Sequence, residues 1–240
     1  MGRMVISSDT SVPVRRLDLG YFVRPASETG SGEPRVEPVL AYLVRHEGGL
    51  LLFDTGLGDA GAETEAHYRP HRRPLEAALG AAGVGVEDIT QVVNCHLHFD
   101  HCGGNPLFAG TPVFVQREEL GAARGGDYTA DQLVDFGGVL YEELEGEAEI
   151  LPGVWIIPTP GHTAGHQSLA VRRPDGAVIL AGQAHDFASH YASAQLARRA
   201  ALEGVAGPLP GYPGWLDRIA DFDPRRVLFA HDNSVWEPGS

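Results

Sequence analysis

His96, His98, Asp100 and His101 fall in one short run, NCHLHFDHCGG. Neutral imidazoles and a carboxylate are a ligand set for Zn²⁺, and the same set accommodates iron, manganese or cobalt. The residues before them, QVVNCH, read as a strand that carries into the run and ends in His96 and His98. The two-residue period of a strand then turns both imidazoles to one side, where they can grip one ion. Asp100 and His101 follow where the chain turns away, so their side chains can aim at a second position beside the first. Gly103 and Gly104 allow close backbone approach there. The pattern predicts a centre for one or two metal ions.

Two further histidines stand where loops follow strands, His162 in PTPGHTAGHQS and His231 in VLFAHD. Alone, either reads as an ordinary surface or core histidine. Beside the first cluster, each can complete one metal site. Asp54 ends the strand of LLFDTG and can accept a hydrogen bond from a ligand or set the turn at Gly56. His166 reads as a structural hydrogen-bonding residue, because HQSLAV looks like the next strand. Cys95 alternates away from His96, and Cys102 reads as a small loop residue, so neither enters the ligand set.

These residues need elements to position them. PVRRLDLGYFV, VEPVLAYLV and GLLLFDTG read as strands, RRPLEAALGAAG as a helix, and VEDI as a short helical turn. A second pass gives TPVFVQ as strand, REELGAAR as helix, a polar stretch near residues 125 to 135, and VWIIPT, HQSLAVRR and AVILAG as strands. Helices are expected around residues 192 to 202 and 214 to 220, then the strand RVLFA. Strands and helices mixed in this way suggest sheets packed together with helices outside.

The chain has 240 residues, 43% hydrophobic and 21% charged, which fits one globular domain over 1–240. Lysines and arginines number 18 against 32 aspartates and glutamates, a formal charge of −14 that would repel phosphate backbones, so no nucleic-acid partner is expected. No apolar run approaches the roughly 20 residues of a membrane span, and the opening MGRMVISSDTSVPVRRLDLG lacks the apolar stretch of a secretory leader. The expectation is a cytoplasmic protein with no membrane partner. Cys95 and Cys102 are too close in sequence to staple the fold and read as reduced thiols.

Taken together, FDTG, HLHFDH, PGHTAGH, the strand end near Gly182 and AHD resemble the metallo-β-lactamase superfamily, over nearly the whole chain. Within it, HLHFDHCGGN, PVFVQREE and LPGVWIIPTPGHTAGHQSLAV are most similar to the N-acyl homoserine lactonases. The resemblance implies an α/β (α+β) fold, an αββα sandwich with metals at one edge. It also implies one metal on His96, His98 and His162 and another on Asp100, His101 and His231. The family's bridging aspartate is replaced here by Gln183, whose amide oxygen can coordinate but carries no charge, so the second metal is expected to bind more weakly. The lactonase tyrosine three residues further on is replaced by Asp186, with His185 and Tyr191 nearby as other residues that could take over either role.

The function so implied is ring opening of a lactone, a small-molecule substrate, by a metal-bound hydroxide, with Asp100 orienting the water or passing its proton to the leaving oxygen. The loop at 25 to 34 and GVAGPLPGYPGW, with Tyr212 and Trp215, are candidate walls of an apolar pocket. The alternatives are another ester, thioester or β-lactam hydrolase of the superfamily, or a metal-binding protein with little hydrolytic activity.

Overall fold

The computed structural model describes residues 13–126 and 128–239, so the start of the chain, where a leader was sought, lies in part outside the described residues. A first sheet holds β1 (Val14–Arg24), β2 (Arg35–His46), β3 (Gly49–Phe53), β4 (His71–Arg72), β5 (Ile89–Val93), β6 (Pro112–Gln116) and β7 (Leu140–Leu144), in the order β4-β1-β2-β3-β5-β6-β7. A second sheet holds β8 (Ala148–Leu151), β9 (Val154–Pro158), β10 (Gln167–Arg173), β11 (Gly176–Leu180) and β12 (Pro224–Leu228), in the order β12-β11-β10-β9-β8. The helices are α1 (Ala62–Tyr68), α2 (Leu75–Ala81), α3 (Arg117–Ala123), α4 (Asp131–Val134), α5 (Ala188–Leu202) and α6 (Trp215–Ala220).

Alternation along the strands divides the apolar residues into layers. Leu40, Tyr42 and Val44 of β2 face inward with Leu51, Phe53 and Val93, and meet Ile156, Leu169, Val171, Val178 and Leu180 of the second sheet. The residues between them face outward and are buried as well: Ala41 and Leu43 pack with Leu75 and Leu79 of α2. On the other side, Ala170, Ile179 and Val227 pack with Tyr191 of α5 and Leu216 and Ile219 of α6. Strands covered on both faces lose the polar half of their pattern, which is why the middle of β2 and the whole of β11 are nearly continuous apolar runs. The result is the expected sandwich of helix, sheet, sheet and helix. Among the described residues, no helix is long and apolar enough to cross a membrane.

The two sheets are tied by polar bonds as well as by apolar contact. Buried Tyr42 donates its hydroxyl to the Phe229 carbonyl at 2.7 Å, and the Leu40 N–H reaches the Ala230 carbonyl at 3.0 Å. Both bonds grip the chain just before His231, so a strand of the first sheet sets the position of a residue that follows the second.

Several expectations are corrected. The strand before the histidine run stops at Val93, so His96 and His98 stand on a loop and the two-residue period does not orient them. The ladder ends because its neighbour β3 ends at Phe53: Asp54 turns the backbone to φ 63° and caps the Cys95 N–H with its side chain at 2.8 Å. Helix α5 begins at Ala188, earlier than read, and α1, β4, β7 and β8 carry patterns too short or too polar for the sequence reading to find.

Candidate metal centre

The loop from Asn94 to Gly104 is held both within itself and by groups from elsewhere in the chain. Asp54 accepts from the Cys95 N–H at 2.8 Å near its start, while the Asn94 amide and the Thr55 N–H donate to the His101 carbonyl further along it at 3.0 Å and 2.7 Å. Gly103 lies so close to the turn at Gly56–Gly58 that a Cβ there would stand 1.8 Å from the Gly58 nitrogen, so only glycine fits. Buried Glu119 of α3 accepts from the Leu97 N–H at 2.8 Å, from Thr163 Oγ1 at 2.7 Å and from the Tyr128 hydroxyl. One carboxylate thus joins the loops that carry His98 and His162.

Held in this way, the donor atoms gather into two triads. His96 Nε2 lies 2.9 Å from His98 Nδ1, which lies 3.2 Å from His162 Nε2. Beside them, His101 Nε2 lies 3.1 Å from His231 Nε2, and Asp100 Oδ2 lies 3.6 Å and 3.4 Å from those two nitrogens. Within each triad the donor atoms are within 4.8 Å of one another. The residues fit divalent cations: each triad offers three nitrogen or oxygen donors to a common point, and further groups hold the rings from behind. His101 Nδ1 donates to Asp54 Oδ2 at 3.0 Å and His231 Nδ1 to the Pro38 carbonyl at 2.9 Å, which leaves their Nε2 lone pairs free for an ion.

Electrostatics agree with this reading. Burial, then the neighbouring His101 and His98, hold the His96 imidazole well below its ordinary value, and partial burial with the same crowding holds His162 down to about 3. Both rings stay neutral, the form that binds metals. Burial alone would push Asp100 up, but His101, His231 and His98 outweigh it and hold the carboxyl down to about 2. Burial opposes charge on His101, yet Asp100 and Asp54 overcome it and raise its value. The same two carboxylates would favour a cation held among Asp100, His101 and His231.

Cys95 is placed otherwise than its alternation suggested. Its thiol lies 3.2 Å from both His96 Nδ1 and His101 Nδ1 and 3.1 Å from Asp54 Oδ2, directly behind the ligands, because the chain has already left the strand. His166 is fully buried, bonded to Thr159 Oγ1 at 2.8 Å and accepting from the Gln183 N–H at 3.1 Å. The Cys102 thiol lies 3.4 Å from the Leu97 carbonyl.

A cavity of 880 Å³ opens over the triads, lined by His98, Asp100, His162 and Gln183 at its floor. Phe22, Tyr68 and Phe99 form one aromatic wall, with ring centroids 5.7 Å and 5.3 Å apart, and Tyr128 lies over His98 at 4.5 Å on another. Arg24, Glu28 and His67 stand at its rim. Of the loop at 25 to 34, only Glu28 lines the cavity, and no residue of 204 to 215 does. Tyr212 and Trp215 instead pack against the core behind the second sheet, with the Trp215 indole donating to the Pro160 carbonyl at 3.1 Å. Tyr191 is fully buried in that core, 5.1 Å from Trp236, and His185 sits edge-on between Tyr191 and Trp215 rather than lining the cavity. Asp186 reaches the centre through Gln183. Sequence reading missed Phe22, Arg24, Tyr68, Tyr128 and Glu119, which come from separate elements and carry no local motif.

The arrangement of two triads at the edge of an αββα sandwich is that of a known class. The chain belongs to the metallo-beta-lactamase superfamily, whose family pattern matches residues 34–231. An N-acyl homoserine lactonase of Bacillus sp is 33% identical over 155 residues, covering 60% of this chain and 62% of that relative, so the chain spans less than two thirds of its length. The N-acyl homoserine lactonase AiiB of Agrobacterium fabrum is 30% identical over 245 residues, covering 90% of this chain and 87% of the relative. A solved structure described as that of a quorum-quenching N-acyl homoserine lactone hydrolase matches with a TM-score of 0.71 at 27% identity, covering 94% of each chain.

Proposed function

We propose that this chain is a metal-dependent hydrolase that opens the ring of N-acyl homoserine lactones, the quorum-quenching reaction its relatives are named for. The observation that carries the reading is the pair of triads at the floor of a cavity with aromatic walls. His96, His98 and His162 would hold one ion and Asp100, His101 and His231 the other, with Gln183 beside the second. Zinc suits these donors, and iron, manganese or cobalt are accommodated by the same set. Such ions supply Lewis acidity and a source of hydroxide at neutral pH.

The chain's own residues do the rest. Ring opening adds water across the acyl–oxygen bond: a new bond forms to the acyl carbon, the bond to the ring oxygen breaks, and that oxygen leaves with a proton. Asp100, held ionised and lining the cavity, would take the proton from water and return it to the leaving oxygen. The cavity lining brings no serine or cysteine among the described residues, in keeping with direct attack by water. Phe22, Tyr68 and Phe99 offer an acyl chain an apolar surface that excludes water. One domain suffices for this site, as the continuous match over 34–231 supports. Two free, buried thiols support a reducing compartment, the cytoplasm.

The test is a substrate panel with zinc-loaded protein, following acid release from N-acyl homoserine lactones of short and long chain beside an ester, a thioester and a β-lactam. Lactone turnover that a chelator abolishes is expected. Hydrolysis of thioester or β-lactam with the lactones untouched would assign the site to another branch of the superfamily, and retained metal without any turnover would make it a binding centre.

A further inference from the structure

Gln183 and Asp186 lie on the bend between β11 and α5, where little can move. The Gln183 N–H is bonded to His166 Nε2 at 3.1 Å, and the preceding Gly182 carbonyl accepts from the Ala230 N–H at 2.9 Å. Gly182 holds φ +56°, and a Cβ on it would stand 2.4 Å from Cys95 Cβ. The main chain is therefore pinned, and the freedom left to buried Gln183 is the rotation of its amide.

An amide has an accepting end and a donating end of almost equal size, and packing alone does not choose between them. Here Nε2 donates to Asp186 Oδ1 at 3.1 Å, and Gln183 lines the cavity together with Asp100. A carboxylate only accepts, so the flipped amide would set oxygen against oxygen. The Arg24 guanidinium, whose charge bears on Asp186, is itself bonded to Glu37 at 2.8 Å and 2.9 Å.

We infer that Asp186 is a positioning residue: its carboxylate holds the Gln183 amide with its oxygen turned towards the ion of the Asp100, His101 and His231 triad. The inference rests on the metal reading above. An NH₂ group turned the other way would offer the ion two hydrogens and no lone pair.

The experiment measures zinc per chain and zinc affinity for the full-length protein by competition with a chromogenic chelator. Asp186→Ala is expected to weaken uptake of the second ion by about 10-fold to 100-fold and to leave the first unchanged. Asp186→Asn keeps an accepting oxygen in place and should fall between. In a Gln183→Asp background there is no donating end to orient, so neither change at Asp186 should weaken uptake further. Equal losses in both backgrounds would show a merely structural role, and no loss in the native background would show no role; either overturns the inference while leaving the metal reading standing. A native chain that takes up no zinc would overturn that reading and the inference with it. Should the alanine variants not fold, the Asp186→Asn pair carries the same comparison.

Discussion

Asp54 Oδ2 accepts a hydrogen bond from His101 Nδ1 at 3.0 Å, and it does so from a residue whose own backbone is turned to φ 63°. The turn ends β3 and aims the carboxylate at three groups at once: the His101 ring, the Cys95 N–H and the Cys95 thiol. Asp tolerates that backbone better than most residues because its short polar side chain bonds locally.

Replacing Asp54 therefore tests whether the ring behind the ligand matters as much as the ligand. Asp54→Ala should lower zinc affinity by about 10-fold to 100-fold, and Asp54→Asn, which keeps one acceptor and the turn, by less. Chelator competition decides it; wild-type affinity in Asp54→Ala would show that His101 is oriented by something else.

Glu119 gives a prediction about stability. Its carboxylate accepts from Leu97 N–H, Thr163 Oγ1 and the Tyr128 hydroxyl in a fully buried setting. Glu119→Ala leaves those donors unpaired and should cost roughly 2–5 kcal/mol of unfolding free energy. Glu119→Gln should recover most of it, because the Thr163 hydroxyl can turn to accept from the new amide. Urea unfolding of the three proteins measures both, and a loss in Glu119→Gln equal to that in Glu119→Ala would contradict it.

The metal-free protein should weaken in acid. Burial above all holds His96 and His166 well below their ordinary value of 6.5, so the unfolded chain takes up protons there that the folded chain refuses. Their stabilisation is present above about pH 6.5 and is lost as pH falls, at about 1.4 kcal/mol per pH unit for each proton. His101 works the other way: its raised value gives stabilisation below 6.5 that is lost as pH rises. Two depressed groups outweigh one raised one, and His98 and His231, also lowered, add to the same side. Asp100, held down to about 2, gives up its share only below about pH 4. Urea midpoints of chelator-treated protein should fall between pH 7.5 and 5; a constant or rising midpoint would refute this sign.

The sandwich and the run His96, His98, Asp100 and His101 were legible in the sequence because their information is local: apolar runs between Gly and Pro turns, and histidines crowded beside an aspartate; His162 and His231 entered only beside that run and through the family resemblance. The geometry that aims them was not. His96 and His98 converge from a loop that Asp54, Thr55 and Glu119 hold from distant positions, and a period of two could not foretell that. The cavity walls were misassigned for the same reason. Tyr212 and Trp215 sit in a segment rich in Gly and Pro that looks like a binding loop, yet they face the core, while Phe22, Tyr68 and Tyr128 meet only through the fold.

Each triad draws ligands from both halves of the sandwich: His162 and His231 follow strands of the second sheet, and the other four lie on the loop after β5 of the first. An ion held there acts as a rivet through the seam. Tyr42 and Leu40 stitch the same seam from the apolar side. Slippage of one half along the other, even by a fraction of an ångström, would be registered first in the grip on the ion, long before either half lost its own shape.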